Sequence, residues 1–126
     1  MAEEDAPFGF RVRTSRGRQV IALRGELDIL ARQQMSAPLL TLVGEAAGEV
    51  YVDLRHMSFI DCAGLSLLCA LRNRCRQRRR RLTLVSDDAA FSRLLRLTGL
   101  ADTFTVVGCR EVTETIGAED DWEAIA

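Results

Sequence analysis

A chain of 126 residues is one domain's worth, enough to bury roughly two thirds of its unfolded surface in a single core. Its content of 48% apolar and 28% charged residues is ordinary for a globular protein, and no apolar run approaches the ~20 residues that a membrane span needs. A formal net charge of −1 argues against non-specific binding of nucleic acid by the domain as a whole.

The start, Met1-Ala2-Glu3-Glu4-Asp5, reads as a loose acidic lead-in over residues 1–7, closed by Pro7. It lacks a basic region followed by an apolar one, so it is not a secretory signal and a cytoplasmic protein is expected. Phe8, Phe10 and Val12 alternate with Arg11 and Arg13, Ser15-Arg16-Gly17 supplies a turn, and Val20 to Leu23 run back as the second strand of a hairpin. Gly25-Glu26-Leu27-Asp28 is then expected to turn the chain, with Asp28 capping a helix from roughly Ile29 to Val43. The apolar face of that helix would use Ala31, Met35, Leu39, Leu42 and Val43. Pro38 removes a backbone donor there and predicts a kink or a split near Ser36.

Gly44 and Gly48 frame a loop, after which Val50, Val52 and Leu54 alternate with Glu49, Tyr51 and Asp53 as a strand. His56 reads as a loop residue, and Met57, Phe59 and Ile60 as a connection diving into the core. Asp61 carries a carboxylate suited to the free N–H groups of a first helical turn, so a helix is expected from about Cys62 to Gln77. Its core stripe would be Gly64, Leu67, Leu68, Leu71 and Cys75. Leu82 to Val85 is the next strand, Ser86-Asp87-Asp88 caps a helix over Ala89 to Leu97 that stops at Gly99, Thr103 to Val107 is the last strand, and Glu111 to Ile116 a short final helix. Strands alternating with helices after an opening hairpin predict an α/β domain over residues 8–117, a mixed sheet with helices packed on it, followed by an acidic tail over residues 118–126.

The side chains offer little catalytic chemistry. Cys62, Cys69, Cys75 and Cys109 show no paired metal-ligand spacing, and three of them fall on one predicted helix, so neither zinc nor a disulfide framework is expected; Cys69 and Cys75 read as small, at least partly buried helix residues. His56 has no partner at a recognisable catalytic spacing, and no glycine-rich phosphate loop is present; no enzyme and no cofactor are expected. All seventeen basic residues are arginine, and seven of them lie between Arg72 and Arg81. Cations at a helix C-terminus are favoured by its dipole, but seven exceed what capping requires. The run would suit an acidic partner, the acidic tail of its own chain or nucleic acid, and nucleic acid ranks last because no aromatics are interleaved.

Three stretches carry a family resemblance. The run from Asp53-Leu54 through Phe59-Ile60-Asp61-Cys62-Ala63-Gly64-Leu65 resembles the signature of STAS domains, the module shared by anti-sigma factor antagonists and the tails of sulfate transporters. Gly25-Glu26-Leu27-Asp28 and Leu97-Thr98-Gly99-Leu100 resemble two further motifs of that family, in its order and at compatible spacings over roughly residues 8–117. The resemblance implies the STAS fold and a role as an antagonist that binds an anti-sigma factor, commonly one of histidine-kinase-like ATPase fold, and so frees a sigma factor. It further implies a partner-binding surface on Asp28, Ser58, Asp61, Cys62, Ala63, Gly64 and Ser66.

The departure from the family is at Cys62, which stands where regulated antagonists carry the serine or threonine that a partner kinase phosphorylates. Asp61 and Asp28 each read both as helix caps and as partner contacts. Cys62 reads as a small residue filling the serine's space or as a redox-sensitive thiol, since the helix dipole and the neighbouring carboxylates act on it in opposite directions. Ser66, about one turn further on, is the nearest substitute phosphoacceptor on the helix. The alternatives to antagonism are a STAS binding subunit of a lipid-transport or other signalling complex and a thiol redox sensor; the sequence leaves the oligomeric state open.

Overall fold

The computed structural model describes residues 7–45 and 47–117. In chain order they form β1 (Phe8–Ser15), β2 (Arg18–Leu27), α1 (Ile29–Glu45), β3 (Val50–Ile60), α2 (Cys62–Gln77), β4 (Leu82–Val85), α3 (Ala89–Leu97), β5 (Thr105–Val107) and α4 (Cys109–Ile116). The expected acidic lead-in and tail lie outside the described residues, apart from Pro7. The strands lie in the order β1-β2-β3-β4-β5, the first pair antiparallel and the rest parallel, which is the mixed sheet that the alternation of elements predicts.

The hairpin closes through Arg16 (φ 53°) and Gly17 (φ 78°), two left-handed residues between the paired Ser15 and Arg18. Gly25-Glu26-Leu27 does not turn the chain as expected but continues β2, and the bend comes only at Asp28. Gly25 is required for another reason: it has φ 83°, and a Cβ there would lie 2.0 Å from the Pro7 carbonyl oxygen. The longer β2 also gives β3 a partner beyond Leu54. That strand therefore runs through His56, Ser58 and Phe59, none of which lies in the expected loop or connection. Two register shifts, between Ala22 and Arg24 and between Gly25 and Glu26, each set an extra β3 residue against β2. Each such bulge shifts the inward-outward phase, which is why the period-2 pattern fades after Leu54.

The sheet buries both faces. Ile21, Leu23, Val52, Leu54 and Leu84 face a core filled by Ala31, Met35, Leu39 and Val43 of α1, Leu65, Leu68, Leu71 and Cys75 of α2, and Phe91 and Leu95 of α3. Val20 and Val85 on the opposite face meet Val112 and Ile116 of α4. Pro38 does not split α1, which runs unbroken over 17 residues. The missing N–H leaves one carbonyl without its intrahelical donor, while the buried stripe on either side of Pro38 holds the helix to the sheet.

Helix α2 ends in paired backbone bonds: the Arg80 N–H donates to the Cys75 carbonyl (2.8 Å) and the Arg79 N–H to that of Arg76 (3.0 Å), with Arg79 left-handed at φ 56°. The end of α3 repeats this with Gly99 (φ 76°) and a Leu100 N–H bond to the Leu95 carbonyl of 2.8 Å. The Leu97-Thr98-Gly99-Leu100 motif is thus a helix stop whose last leucine returns to the core.

Arg80 corrects a uniform reading of the arginine run as surface charge. It is 7% exposed, and its guanidinium donates to the carbonyls of Val43 (2.7 Å), Gly48 (2.7 Å) and Ala47 (3.3 Å) and to Gln19 Oε1 (3.3 Å). One side chain from the end of α2 thereby ties down the end of α1 and the loop into β3. A second buried cation, Arg55, grips Asp53 with two bonds of 2.8 Å, and Arg55 also donates to the Gly117 carbonyl (3.5 Å) after α4.

Candidate functional site

The ends of β2 and β3 deliver the predicted residues to one place. Their last paired positions, Glu26 with Phe59 and Leu27 with Ile60, lie side by side, and each strand hands over to a helix through an aspartate. Asp28 Oδ1 accepts from the Ala31 N–H (3.1 Å) at the start of α1. Asp61 Oδ1 accepts from the N–H groups of Ala63 (2.9 Å) and Gly64 (3.1 Å) at the start of α2, while the Asp61 N–H donates to the Leu27 carbonyl (3.3 Å). Both aspartates are half-buried caps. The cap contribution read from the sequence is therefore present at both.

Cys62 is exposed at the first position of α2, and Ser66 is exposed one turn further along the same helix. Ser58 is also exposed, in the second bulge of β3, where it has no register partner on β2. Ala63 is half-buried. Gly64 is buried and brings no side chain to the surface; a Cβ at this position would lie 2.2 Å from the Leu27 carbonyl oxygen and 2.6 Å from Ile60 Cγ1. Its absence of a side chain lets α2 start against the strand ends.

Three large apolar side chains at the same end of the sheet were not among the predicted site residues. Ile29 is 56% exposed, Leu30 43% and Phe59 49%. Phe59 in particular does not enter the core, because the bulge at Ser58 turns it outward. For Ile29 and Leu30 the signal was available in the sequence: both fall off the Ala31-Met35-Leu39-Val43 stripe that defines the buried face of α1. The end of the sheet thus exposes Ile29, Leu30 and Phe59 on the same elements that carry the two capping carboxylates and Cys62. Such a surface suits a protein contact, since large apolar groups exposed together gain by being covered.

The other thiols are less accessible. Burial pushes the pKa of Cys69 and of Cys75 upward. Cys109, at the start of α4, is raised to about 11 by burial, by its S–H bond to Asp87 and by the Asp87 charge. The Asp87 carboxylate in turn is held below its ordinary range by the bonds from Cys109, whose N–H lies 3.1 and 3.2 Å from its two oxygens. Asp87 thus caps α4, across the sheet, while Asp88 alone caps α3 through the Ala90 N–H at 2.9 Å. Among the described residues no group of three or more His, Cys, Asp or Glu side chains gathers to hold a metal ion, and no helix is long and apolar enough to cross a membrane.

Residues 10–108 match the family model described as "Mlab, STAS domain". Among characterised proteins the chain is similar to the anti-sigma-B factor antagonist of Staphylococcus aureus, 26% identical over 86 residues that cover 68% of this chain and 80% of the relative. Among solved structures it is similar to the anti-sigma factor antagonist SpoIIAA in its unphosphorylated form, with a TM-score of 0.66, 22% identity and 93% of each chain covered. It is also similar to an anti-sigma factor antagonist from Mycobacterium paratuberculosis, with a TM-score of 0.70, 23% identity, and 79% of this chain and 84% of that one covered. The strand-to-helix site built on Asp61 and Gly64 lies inside the matched span, and the chain belongs to the STAS domain family.

Proposed function

We propose that this domain is an anti-sigma factor antagonist: it binds an anti-sigma factor of histidine-kinase-like ATPase fold and so releases a sigma factor for transcription. The observation that carries this reading is the exposure of Ile29, Leu30 and Phe59 at the strand ends and helix start that also carry the capping carboxylates of Asp28 and Asp61. A central apolar anchor rimmed by charge is the anatomy of a specific protein contact, and the similar proteins named above are antagonists. The domain acts as a cytoplasmic binding module and not as an enzyme, with Asp28, Ser58, Asp61, Cys62, Ala63 and Ser66 contributing to the contact and Gly64 shaping it from below.

Cys62 gives this antagonist a distinct control. Phosphorylation of a serine at that position would add about −1.5 to −2 charges to the contact surface. A thiol there offers no hydroxyl to a serine kinase, so the complex is constitutive, governed by abundance, or controlled elsewhere than at residues 58–66.

The test is affinity purification of the tagged protein from its own cells, with co-purifying proteins identified by mass spectrometry. Recovery of a kinase-fold anti-sigma factor, lost when Asp61→Arg is introduced, is the expected result. Recovery of transporter subunits instead would make the domain a STAS subunit of a transport complex, and recovery of no partner would remove the antagonist reading. Incubation with the recovered kinase and ATP is expected to leave residues 58–66 unmodified; phosphate on Ser58 or Ser66 would overturn the unswitched form of the proposal.

A further inference from the structure

The end of α4 is tied to two strands by arginines. Arg13 of β1 donates to the Ile116 carbonyl, Arg16 after β1 to that of Glu114 (2.7 Å), and Arg55 of β3 to that of Gly117 (3.5 Å). A Cβ on Gly117 would lie 3.7 Å from the Arg13 guanidinium. The chain therefore leaves α4 over β1, β2 and β3. It does so on the sheet face opposite α1 and α2, because Val112 and Ile116 of α4 pack on Val20 while Ile21 and Leu23 face the other helices.

From that exit the register shows what lies along the same face. Arg13, Val20 and Tyr51 are partners across β1, β2 and β3; Arg11, Ala22 and Asp53 come next, and then Gly9, Arg24 and His56. The Arg24 side chain lies across Gly9, where a Cβ would be 3.2 Å from its Nη2. Arg55, in the bulge opposite Leu23, reaches the same side through Asp53 and Gly117. These three levels thus hold Arg11, Arg13, Arg24, Arg55 and His56 against one carboxylate, Asp53, whose two oxygens accept from Arg55. In sum the face is strongly positive.

The segment that follows Gly117 has the opposite charge: Glu119, Asp120, Asp121 and Glu123, with Trp122 among them. We propose that Glu119–Glu123 docks back on this face of its own domain, with its carboxylates on Arg11, Arg13 and Arg24 and the Trp122 indole against their guanidinium groups. The reach fits. Residues two to six beyond Gly117 span about 7–20 Å of extended chain, and the Arg24 level lies four β2 residues past Val20, about 13 Å along the strand. Guanidinium forks take carboxylates with paired bonds and stack on an indole face. The tether supplies a high effective concentration, so individually weak surface pairs suffice. The arginine run of α2 suited the same acidic tail by composition, but α2 packs on the opposite face from the one on which the chain leaves α4.

Trp122 is the only tryptophan, so its fluorescence reports the segment directly. The experiment is acrylamide quenching of the full chain in about 50 mM salt, where surface charge is little screened. Relative to the parent, Asp120→Arg with Asp121→Arg, which alters no described element, is expected to raise the quenching constant at least about threefold. Arg11→Glu and Arg24→Glu should each raise it at least about twofold with an unchanged circular dichroism spectrum. Arg81→Glu, the same charge change at an exposed position before β4, should leave it within about a fifth of the parent value, since exposed charges that far apart are screened. Raising salt to about 1 M should bring the parent to the level of the Asp120→Arg, Asp121→Arg variant. A tenfold change in protein concentration should have no effect. A parent quenched as readily as the tail variant, or an Arg81→Glu effect equal to that of Arg24→Glu, would overturn the proposal. Protection that grows with protein concentration would seat the segment on a second copy and overturn it equally.

Discussion

Gly64 sets how closely α2 approaches the ends of β2 and β3. A methyl group at this position would overlap a backbone oxygen, that of Leu27, which no rotamer change can move aside. Gly64→Ala is therefore expected to destabilise the domain by about 1–3 kcal/mol, read as a lower urea midpoint with an unchanged slope. Cys109 and Asp87 make a second prediction at this scale. The folded pKa of the Cys109 thiol lies near 11, above the ordinary value of 9.0, so the stability contributed by the protonated thiol is full below about 9 and is lost as pH rises through 11. The Asp87 carboxylate has the opposite sense: its contribution holds above its ordinary value of 3.8 and is lost as pH falls through its depressed folded value. Alkylation of Cys109 measured by mass spectrometry across pH should show a midpoint near 11 in the parent. In Asp87→Asn that midpoint should move down toward 9.0.

At the scale of elements, neighbouring arginines of one run have unlike roles. Arg80→Ala leaves the buried Val43 carbonyl without its donor, also removes the part-buried bond to the Gly48 carbonyl, and is expected to cost about 3 kcal/mol. Arg81→Ala, at an exposed position, should change stability by less than about 0.5 kcal/mol. Thermal or urea unfolding of the two variants side by side checks the contrast. Composition could not distinguish them, because a basic run of this density reads as one solvated face until the left-handed turn at Arg79 swings the next side chain inward. Pro38 shows the same limit in reverse. Local chemistry predicts a kink or a split in α1; the split does not occur, because the buried stripe of Ala31, Met35, Leu39 and Val43 outweighs one missing bond.

For the whole molecule, the sheet separates two surfaces. The ends of β2 and β3 lead into exposed Ile29 and Leu30, exposed Phe59, the capping carboxylates and Cys62; the beginnings of β4 and β5 lie beside Arg72, Arg76 and Arg81. If the first is the docking surface, charge at position 62 should govern affinity while the isosteric change should not. Cys62→Ser is expected to bind the recovered partner within about twofold of the parent, and Cys62→Asp to bind at least about tenfold more weakly, because the contact would have to desolvate a second carboxylate beside Asp61. Surface plasmon resonance with the purified partner measures both. Oxidation offers a parallel check: a partner affinity unchanged by peroxide, with Cys62 shown by mass spectrometry to be oxidised, would remove the redox-sensor alternative.

The sequence alone determined every helix and strand whose signal is local: α2 with Asp61 as its cap and its stripe of Gly64, Leu67, Leu68, Leu71 and Cys75 is found as read, and so are α3 and β4. That Asp28, Asp61 and Cys62 share one surface was implied by the family resemblance; the structure sets Asp28 and Asp61 at the same end of the adjacent parallel strands β2 and β3. The tertiary structure decided what depends on contacts between distant residues. Pairing with β2 carried β3 through His56 and Ser58, and its bulges left Phe59 outside the core. Arg80 and Arg55 became internal clamps because carbonyls and a carboxylate from other elements lay within reach. A pattern along one chain fixes which way a side chain points within its own element; whether another element is waiting there to bury it is settled only when the chain has folded.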